Sequence, residues 1–403
     1  MDVRTVLSIL GAGAVAFAAA GQPLQEDERA ALKFLDRITG ELQSAEERDW
    51  WDIGGDQCGL FALRYNIAFA GYAAAALGMR GDASERVTVG RVLGNCIGRY
   101  LKRPVWFYVN DKAYWGGKPW APDPCYRENV MYTGHLLQLL ALYERFTGDT
   151  RYWTQGFDFV WTKEKSVHYD VRKLIDVTVA QMRENGSGGV TCEPGLVFFP
   201  CNNHPHVALR MFAALGHGDW SADARKWEDW ALGHFLKPLF GGGAINIVYH
   251  VPSGLFYPRG QSALDGWSLL WYEAWATRRE EALALWRQAA AKIDWAAMDK
   301  ASDADPGGGT CCNPTAMPAS VTAVFLAAAA RACDDPGTAE RLERAVDAKY
   351  LVRGNGIYRL DLNREWRIGA TAHRIIALAE ANGSRFRGLI CGKEAENGGT
   401  EGR

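Results

Sequence analysis

The chain has 403 residues, 48% hydrophobic and 12% aromatic, enough apolar material for a large buried core and, on length alone, for one or two domains. Its 45 basic and 47 acidic residues are spread along the chain and leave a formal charge of −2, so no long-range attraction to nucleic acid or anionic lipid is expected. The composition points to a neutral small molecule as the partner.

Residues 6–20 form an apolar run that is short for a membrane span and the right length for the core of an export signal. Asp2 offsets Arg4, so residues 1–22 fit either a cleaved signal or an N-terminal tail or anchor. The chain would be periplasmic or secreted in the first case, and membrane-associated or cytoplasmic in the second. No other segment reads as a span.

Apolar residues then recur at helical spacing through 27–46, 60–77, 84–101, 128–146, 166–183, 206–215, 222–236, 264–277, 280–293, 316–332, 338–346 and 369–381. The pattern predicts about twelve helices. Strand-like segments are few: 244–251 and 255–258 read as a hairpin around Pro252-Ser253-Gly254. No linker interrupts 23–390, which reads as a single domain, and 391–403 is a polar tail. Paired helices joined by long loops rich in Gly, Pro and aromatics fit an all-α (α/α)6 barrel with short β-hairpins in the loops. On pattern alone an irregular α-solenoid competes, because no repeat fixes the helix count. The loop 106–126 carries Trp106, Phe107, Tyr108, Tyr114, Trp115 and Trp120, as a lid or an intersubunit contact would.

Nine cysteines leave at least one thiol unpaired in a monomer. Cys58 with Cys96 is a plausible bridge in an oxidising compartment, whereas Cys96, Cys125, Cys333 and Cys391 also read as ordinary small residues. Cys192 and Cys201 lie nine residues apart around a Gly- and Pro-containing loop that can fold back. Two buried cysteines, one disulfide and two thiols facing one cavity all fit that spacing. Glu193, beside Cys192, is a partner for a hydroxyl or a loop cap. His135 shares a helix face with Met131 and Leu139, which aims it inward, either as a hydrogen-bonded core residue or as a proton-transfer group. Asp123 precedes that helix and reads mainly as a turn cap. Tyr65, Met131, Phe198 and Phe199 would line an apolar pocket, although each alone would pass as core. A zinc site from Cys192, Cys201, His204 and His206 is disfavoured, since no Cys-x2-Cys anchors it and Pro205 restricts the two histidines. The triple glycines at 241–243 and 307–309 lack the Lys-Ser/Thr of a phosphate loop and read as turns. No metal or cofactor is expected.

The block Glu128-Asn129-Val130-Met131-Tyr132-Thr133-Gly134-His135, followed by Cys192-Glu193-Pro194 and Cys201-Asn202, resembles the linalool dehydratase/isomerase signature E-N-x-M-Y-x-G-H, V-C-E-P and C-N. The match continues through Arg64-Tyr65-Asn66-Ile67-Ala68-Phe69, Tyr249-His250 and Asp303-Ala304-Asp305, while the opening 60 residues match poorly. The resemblance implies an (α/α)6 barrel, a periplasmic location, a homo-oligomer, and no cofactor. It implies catalytic roles for His135, Cys192 and Cys201, with Cys192 favoured for proton abstraction and Cys201 for proton donation or substrate contact. It implies a substrate pocket with Tyr65, Met131, Glu193, Phe198 and Tyr249. Family members also use an acid and a tyrosine from an N-terminal loop that reaches a neighbouring subunit. Here that stretch is shorter and has no tyrosine; Asp56, then Asp52, is the candidate acid. The expected activity is hydration, dehydration or isomerisation of an allylic terpenoid-like alcohol. A carbohydrate-active barrel enzyme, such as a glycoside hydrolase or epimerase, is the alternative and would need two suitably placed carboxylates. A non-catalytic barrel that binds apolar ligands is the third reading.

Overall fold

The structure is a computed structural model that describes residues 23–40, 62–107, 123–236, 238–304 and 317–391. Among these residues twelve long helices follow one another: α1 Glu26–Thr39, α2 Leu63–Gly78, α3 Ala83–Tyr100, α4 Val130–Thr147, α5 Val171–Glu184, α6 Phe199–Ala214, α7 Ser221–His234, α8 Ser262–Trp275, α9 Arg279–Ala290, α10 Ala319–Ala332, α11 Pro336–Tyr350 and α12 Arg367–Ala381. The even-numbered helices pack in chain order, α2 on α4, α4 on α6, α6 on α8, α8 on α10 and α10 on α12, and α12 closes the ring on α2. The odd-numbered helices lie outside this ring, with α3 against α2 and α4, α9 against α8, and α11 against α10. This is the (α/α)6 barrel expected from the sequence.

Composition decides which helix goes where. Nearly every residue of α2 (LRYNIAFAGYAAAALG) and α10 (ASVTAVFLAAAARA) is buried, because an inner helix meets two ring neighbours, an outer helix and the barrel interior. Alanine and glycine on several faces let those neighbours approach. The outer α5 buries only Val171, Leu174, Ile175, Thr178, Val179 and Met182, the stripe of a one-sided helix.

Short strands decorate the loops. β1 Phe157–Val160 pairs with β2 Ser166–Tyr169; β3 Leu196–Phe198, β4 Phe240–Gly241, β5 Asn246–His250 and β6 Leu255–Gly260 form a sheet of order β3-β5-β6-β4; β7 Leu351–Gly354 pairs with β8 Ile357–Leu360. The β5–β6 hairpin lies where the sequence puts it. Residues 166–169, predicted as helix, are instead β2, and Asp170 caps α5 by accepting from Lys173 N–H at 2.7 Å. The helix predicted to begin at 206 begins at Phe199, directly from β3, and carries Pro205 inside it. Pro200 costs nothing in the first turn, where no N–H is needed, while Pro205 has no N–H to offer the Cys201 carbonyl one turn back. The segments 41–46 and 108–122, like residues 6–20, lie outside the described residues. Trp106, where the aromatic loop starts, packs on Phe159 at 5.8 Å and Trp161 at 6.1 Å between ring centroids. No helix among the described residues is long and apolar enough to cross a membrane.

Helices α4 and α6 approach closely beside His135. A β-carbon at Gly134 would stand 2.8 Å from Pro205 Cδ and 3.4 Å from His204 Cβ, so only glycine fits beside His135. Gly134→Ala is therefore expected to lower stability by about 1–3 kcal/mol and to displace α4 from α6. Chemical denaturation of this variant checks it; unchanged stability would show that the two helices separate freely.

Candidate active site

Two segments distant in sequence are joined by their backbones. Helix α4 has no side-chain cap; its first N–H groups instead find carbonyls from the loop after α5, Asn129 N–H to Cys192 O at 2.9 Å and Val130 N–H to Thr191 O at 3.2 Å. To aim these donors, Glu128 and Asn129 both take left-handed backbone conformations, φ 58° and 61°. Asparagine tolerates this region; glutamate does so less readily. Asn129 Nδ2 holds the preceding turn through Pro124 O at 2.9 Å, and the Glu128 N–H donates to Gln181 Oε1 on α5.

The loop between the thiols is clamped in turn. Cys192 N–H donates to Leu196 O at 2.7 Å around Gly195, whose φ of 77° the turn requires. Asn202, the residue after Cys201, accepts from Val190 N–H at 2.7 Å and donates to Val190 O at 3.0 Å and Phe198 O at 2.9 Å. One buried amide thus fastens the start of α6 to the start of the loop.

Consequently Cys192 and Cys201 meet as unbridged thiols, 1% and 4% exposed, and Cys192 is hydrogen-bonded to Cys201. Burial pushes Cys192 well above the ordinary thiol range; the hydrogen bond to Cys201 and the negative charge of Cys201 and Glu193 add to this, and Arg64 opposes it. Tyr65 is kept a phenol by burial first and then by the charge of Cys201, against Arg64. The Arg64 guanidinium lies 4.7 Å from the centre of the Tyr65 ring, a cation–π arrangement. Glu193 is pushed up to about 7 by burial, with Arg64 opposing. Its Oε2 is enclosed and has no hydrogen-bond partner among the described residues.

Against this cluster stands a set of neutral imidazoles. His135, fully buried, holds Tyr72 Oη at 2.8 Å through Nδ1, and its Nε2 has no partner among the described residues. The His135 ring lies 5.3 Å edge-on from Tyr65 and 3.7 Å from the ring of His204, centroid to centroid. Burial lowers the pKa of His135 and of His204, helped by Arg64 at the first and by His135 and His373 at the second. His204 is pinned at both nitrogens, Nδ1 to Gln138 Oε1 at 2.6 Å and Nε2 to Trp267 Nε1 at 3.0 Å. Trp267 completes the wall, 5.3 Å from Tyr65.

The structure brings together His135, Cys192, Cys201, Glu193 and Tyr65 from the residues singled out in the sequence. Met131 is buried one turn before His135 on α4, and Phe198 ends β3 directly before α6. Tyr249 stands on β5 opposite Val197 of the loop between the cysteines, and its ring packs on Trp230 of α7 at 4.8 Å and on Phe256 at 4.8 Å. Asp56 and Asp52 lie outside the described residues, as does Cys58, the suggested partner of Cys96; Cys96 is a buried free thiol. Asp123 is a turn cap, accepting from Cys125 N–H at 2.9 Å and from Tyr169 Oη at 2.9 Å. The four zinc candidates do not form one donor set. His204 spends both nitrogens on protein partners, and His206 turns to the other side of α6, stacked on Trp275 at 4.8 Å beside a separate cleft of about 550 Å³.

Sequence reasoning gave no role to Arg64, Tyr72, Gln138, Trp267 or Asn202. A signal existed for some of them: Tyr65, Phe69 and Tyr72 recur at i, i+4 and i+7 on α2, and Gln138 follows His135 by three on α4.

These features define an (α/α)6 barrel with a buried thiol pair, a carboxyl group and a neutral imidazole at the ends of its inner helices. Residues 64–366 match the linalool dehydratase/isomerase family, and the chain belongs to that family. Among solved structures it is similar to the unsaturated glucuronyl hydrolase of Bacillus sp. GL1, at 12% identity over 91% of this chain and 96% of that one, TM-score 0.51. It is also similar to a GH76 α-mannanase of Bacteroides thetaiotaomicron, at 13% identity over 88% and 96%, TM-score 0.51. A third similar structure is the GH76A α-1,6-mannanase of Salegentibacter sp. HEL1_6, at 10% identity over 89% and 99%, TM-score 0.50. At such identities these likenesses establish the barrel and carry no chemistry.

A pH dependence follows from the buried carboxyls. Glu193 and, away from this site, Asp265 and Glu380 all titrate near 7 in the folded chain, each raised chiefly by burial. Unfolded carboxyls titrate at about 4, so their contribution to stability is complete below that pH and is lost as pH rises through 7. The buried histidines His135, His204, His206 and His373, all lowered by burial, act in the opposite sense up to about pH 6.5, so the carboxyl contribution is read as a difference: the melting temperature of Glu193→Gln relative to wild type is expected to rise between pH 5 and pH 8. A difference that stays constant over this interval would overturn the assignment.

Proposed function

We propose that the protein is a cofactor-independent lyase/isomerase that removes or adds water, or migrates a hydroxyl, on a short allylic terpenoid-like alcohol. The observation that carries this reading is the pair of enclosed, unpartnered polar atoms, His135 Nε2 and Glu193 Oε2, beside two thiols and the aromatic faces of Tyr65, Phe69 and Trp267. Buried polar atoms are normally paired, so this pair is suited to a substrate hydroxyl.

In the dehydration direction, protonated Glu193 gives its proton to the hydroxyl as the C–O bond breaks, while a sulfur takes a proton from the adjacent carbon. The products are an alkene and water, and the sulfur's proton returns to Glu193 to close the cycle. A carboxyl titrating near 7 is divided between its two forms at neutral pH, as a group that both gives and recovers a proton must be. The accepting sulfur acts as a thiolate and becomes a neutral thiol as Glu193 becomes a carboxylate; Cys192 and Cys201 are hydrogen-bonded to each other, so one takes the carbon-bound proton and the other's S–H holds that thiolate beforehand. The Arg64 charge, which favours the ionised form of Cys192 and of Glu193, eases both states. Positive character developing on the allylic carbons faces aromatic rings and not bulk water. The N-terminal acid, Asp56 in this reading, would complete the site from a neighbouring copy, which makes the active species a homo-oligomer.

The carbohydrate alternative would rest on Glu128, whose charge also acts on Glu193. Glu128 is 8% exposed and sits in the strained turn before α4, and the surroundings of Glu193 are thiols and aromatic rings, not an open polar cleft.

Purified protein incubated with short isoprenoid alcohols and dienes should yield products differing by one water, or isomeric alcohols, by mass spectrometry and gas chromatography, and turnover should persist in EDTA. Cys201→Ala, Cys192→Ala and His135→Ala are each expected to lower turnover by about 10²–10⁴-fold with melting temperatures close to wild type for the two cysteines. Near-native rates in destabilised cysteine variants would make these residues core and end the mechanism.

A further inference from the structure

We infer that Tyr72 is a positioning residue that fixes the tautomer of His135 and turns its Nε2–H, as a neutral donor, toward the substrate oxygen; this deepens the proposed function and rests on it.

The argument is a count of donors and acceptors. Tyr72 Oη and His135 Nδ1 are 2.8 Å apart, both side chains are fully buried, and among the described residues neither atom has another hydrogen-bond partner. If Nδ1–H donated to Tyr72, the phenol proton would be left in the barrel interior without an acceptor, and the Nε2 lone pair would be left without a donor as well. If Tyr72 donates to Nδ1, one polar group remains unsatisfied, the Nε2–H, and it is the atom with no protein partner. The second arrangement leaves fewer buried groups unpaired and places the remaining one where a ligand can use it.

His204 makes the arrangement rigid. Tryptophan has a donor and no acceptor, so Trp267 Nε1–H obliges His204 Nε2 to be the acceptor and puts the His204 proton on Nδ1, toward Gln138 Oε1. A fixed neutral ring at 3.7 Å then backs His135, and Tyr72 itself stacks on His204 at 5.7 Å. The three rings come from α2, α4 and α6, so one layer of the inner barrel orients the donor. A neutral donor suits the chemistry: it holds the hydroxyl in place while the proton itself comes from a stronger acid.

The test combines nitrogen-15 NMR of histidine-labelled protein with kinetics of Tyr72→Phe, a replacement that keeps the ring. His135 is assigned by difference from His135→Gln. Wild type should show the Nε2–H tautomer at His135; Tyr72→Phe should lose that single form, with kcat falling by about 10²-fold and KM nearly unchanged. An Nδ1–H tautomer in wild type, or the same tautomer and kcat in both proteins, overturns the inference. So does a changed tautomer with unchanged kcat. If wild type turns over no isoprenoid alcohol, the proposed function falls, while the spectra still decide whether Tyr72 sets His135.

Discussion

The site depends on two backbone hydrogen bonds, from Asn129 N–H to Cys192 O and from Val130 N–H to Thr191 O. Any helix start exposes N–H groups that must find partners. In α4 a serine or aspartate cap would satisfy them locally and leave the following loop independent. Here the chain accepts two left-handed residues, at a cost on the order of 1–3 kcal/mol for such backbone strain, and gives those donors to the cysteine loop. The consequence is that Cys192 is tied by its backbone to the start of the helix that carries His135 in its second turn. Asn202 performs the matching task on the other side, so the loop is held at both ends and the thiols meet without a covalent bridge.

Burial then governs protonation. Arg64 is a cation acting on both Cys192 and Glu193, and it only partly offsets the loss of water around them. Thiol, phenol, carboxyl and imidazole are all pushed toward their neutral forms, which is the cheapest state for a low-dielectric interior. An assembly of neutral donors and acceptors is suited to a neutral ligand, which meets hydrogen-bonding groups and little opposing charge.

The sequence carried much of this and hid the rest for identifiable reasons. Helix count and pairing were legible because inner helices are apolar on every face and outer ones are striped, as α2 and α5 illustrate. The start of α6 was not, since Pro200 and Pro205 read as breakers, whereas one occupies a position needing no donor and the other removes a single bond. The pairing of Cys192 with Cys201 could be anticipated from a short loop. That of Tyr72 with His135, 63 residues apart, could not, because no local period reports which inner helices face each other. Nor could the sequence show that the Tyr249 ring packs on Trp230 of an outer helix, because strand alternation and not a local motif sets that contact.

The barrel itself explains why such divergent chemistry fits one frame. Six inner helices deliver their ends to the same opening, so a residue in the first turn of one helix and in the loop before another are neighbours whatever their identity. In this chain the layer beneath that opening is filled by Phe69, Tyr72, His204, Trp267 and Trp271, which contact one another as rings. A floor of packed rings yields little to a ligand, and at its edge His135 Nε2 and Glu193 Oε2 are buried polar atoms without a partner among the described residues. Under the proposed function, specificity would reside above the floor, in how the apolar body of the substrate packs, while the polar contacts would remain the same for any substrate with a hydroxyl at that position.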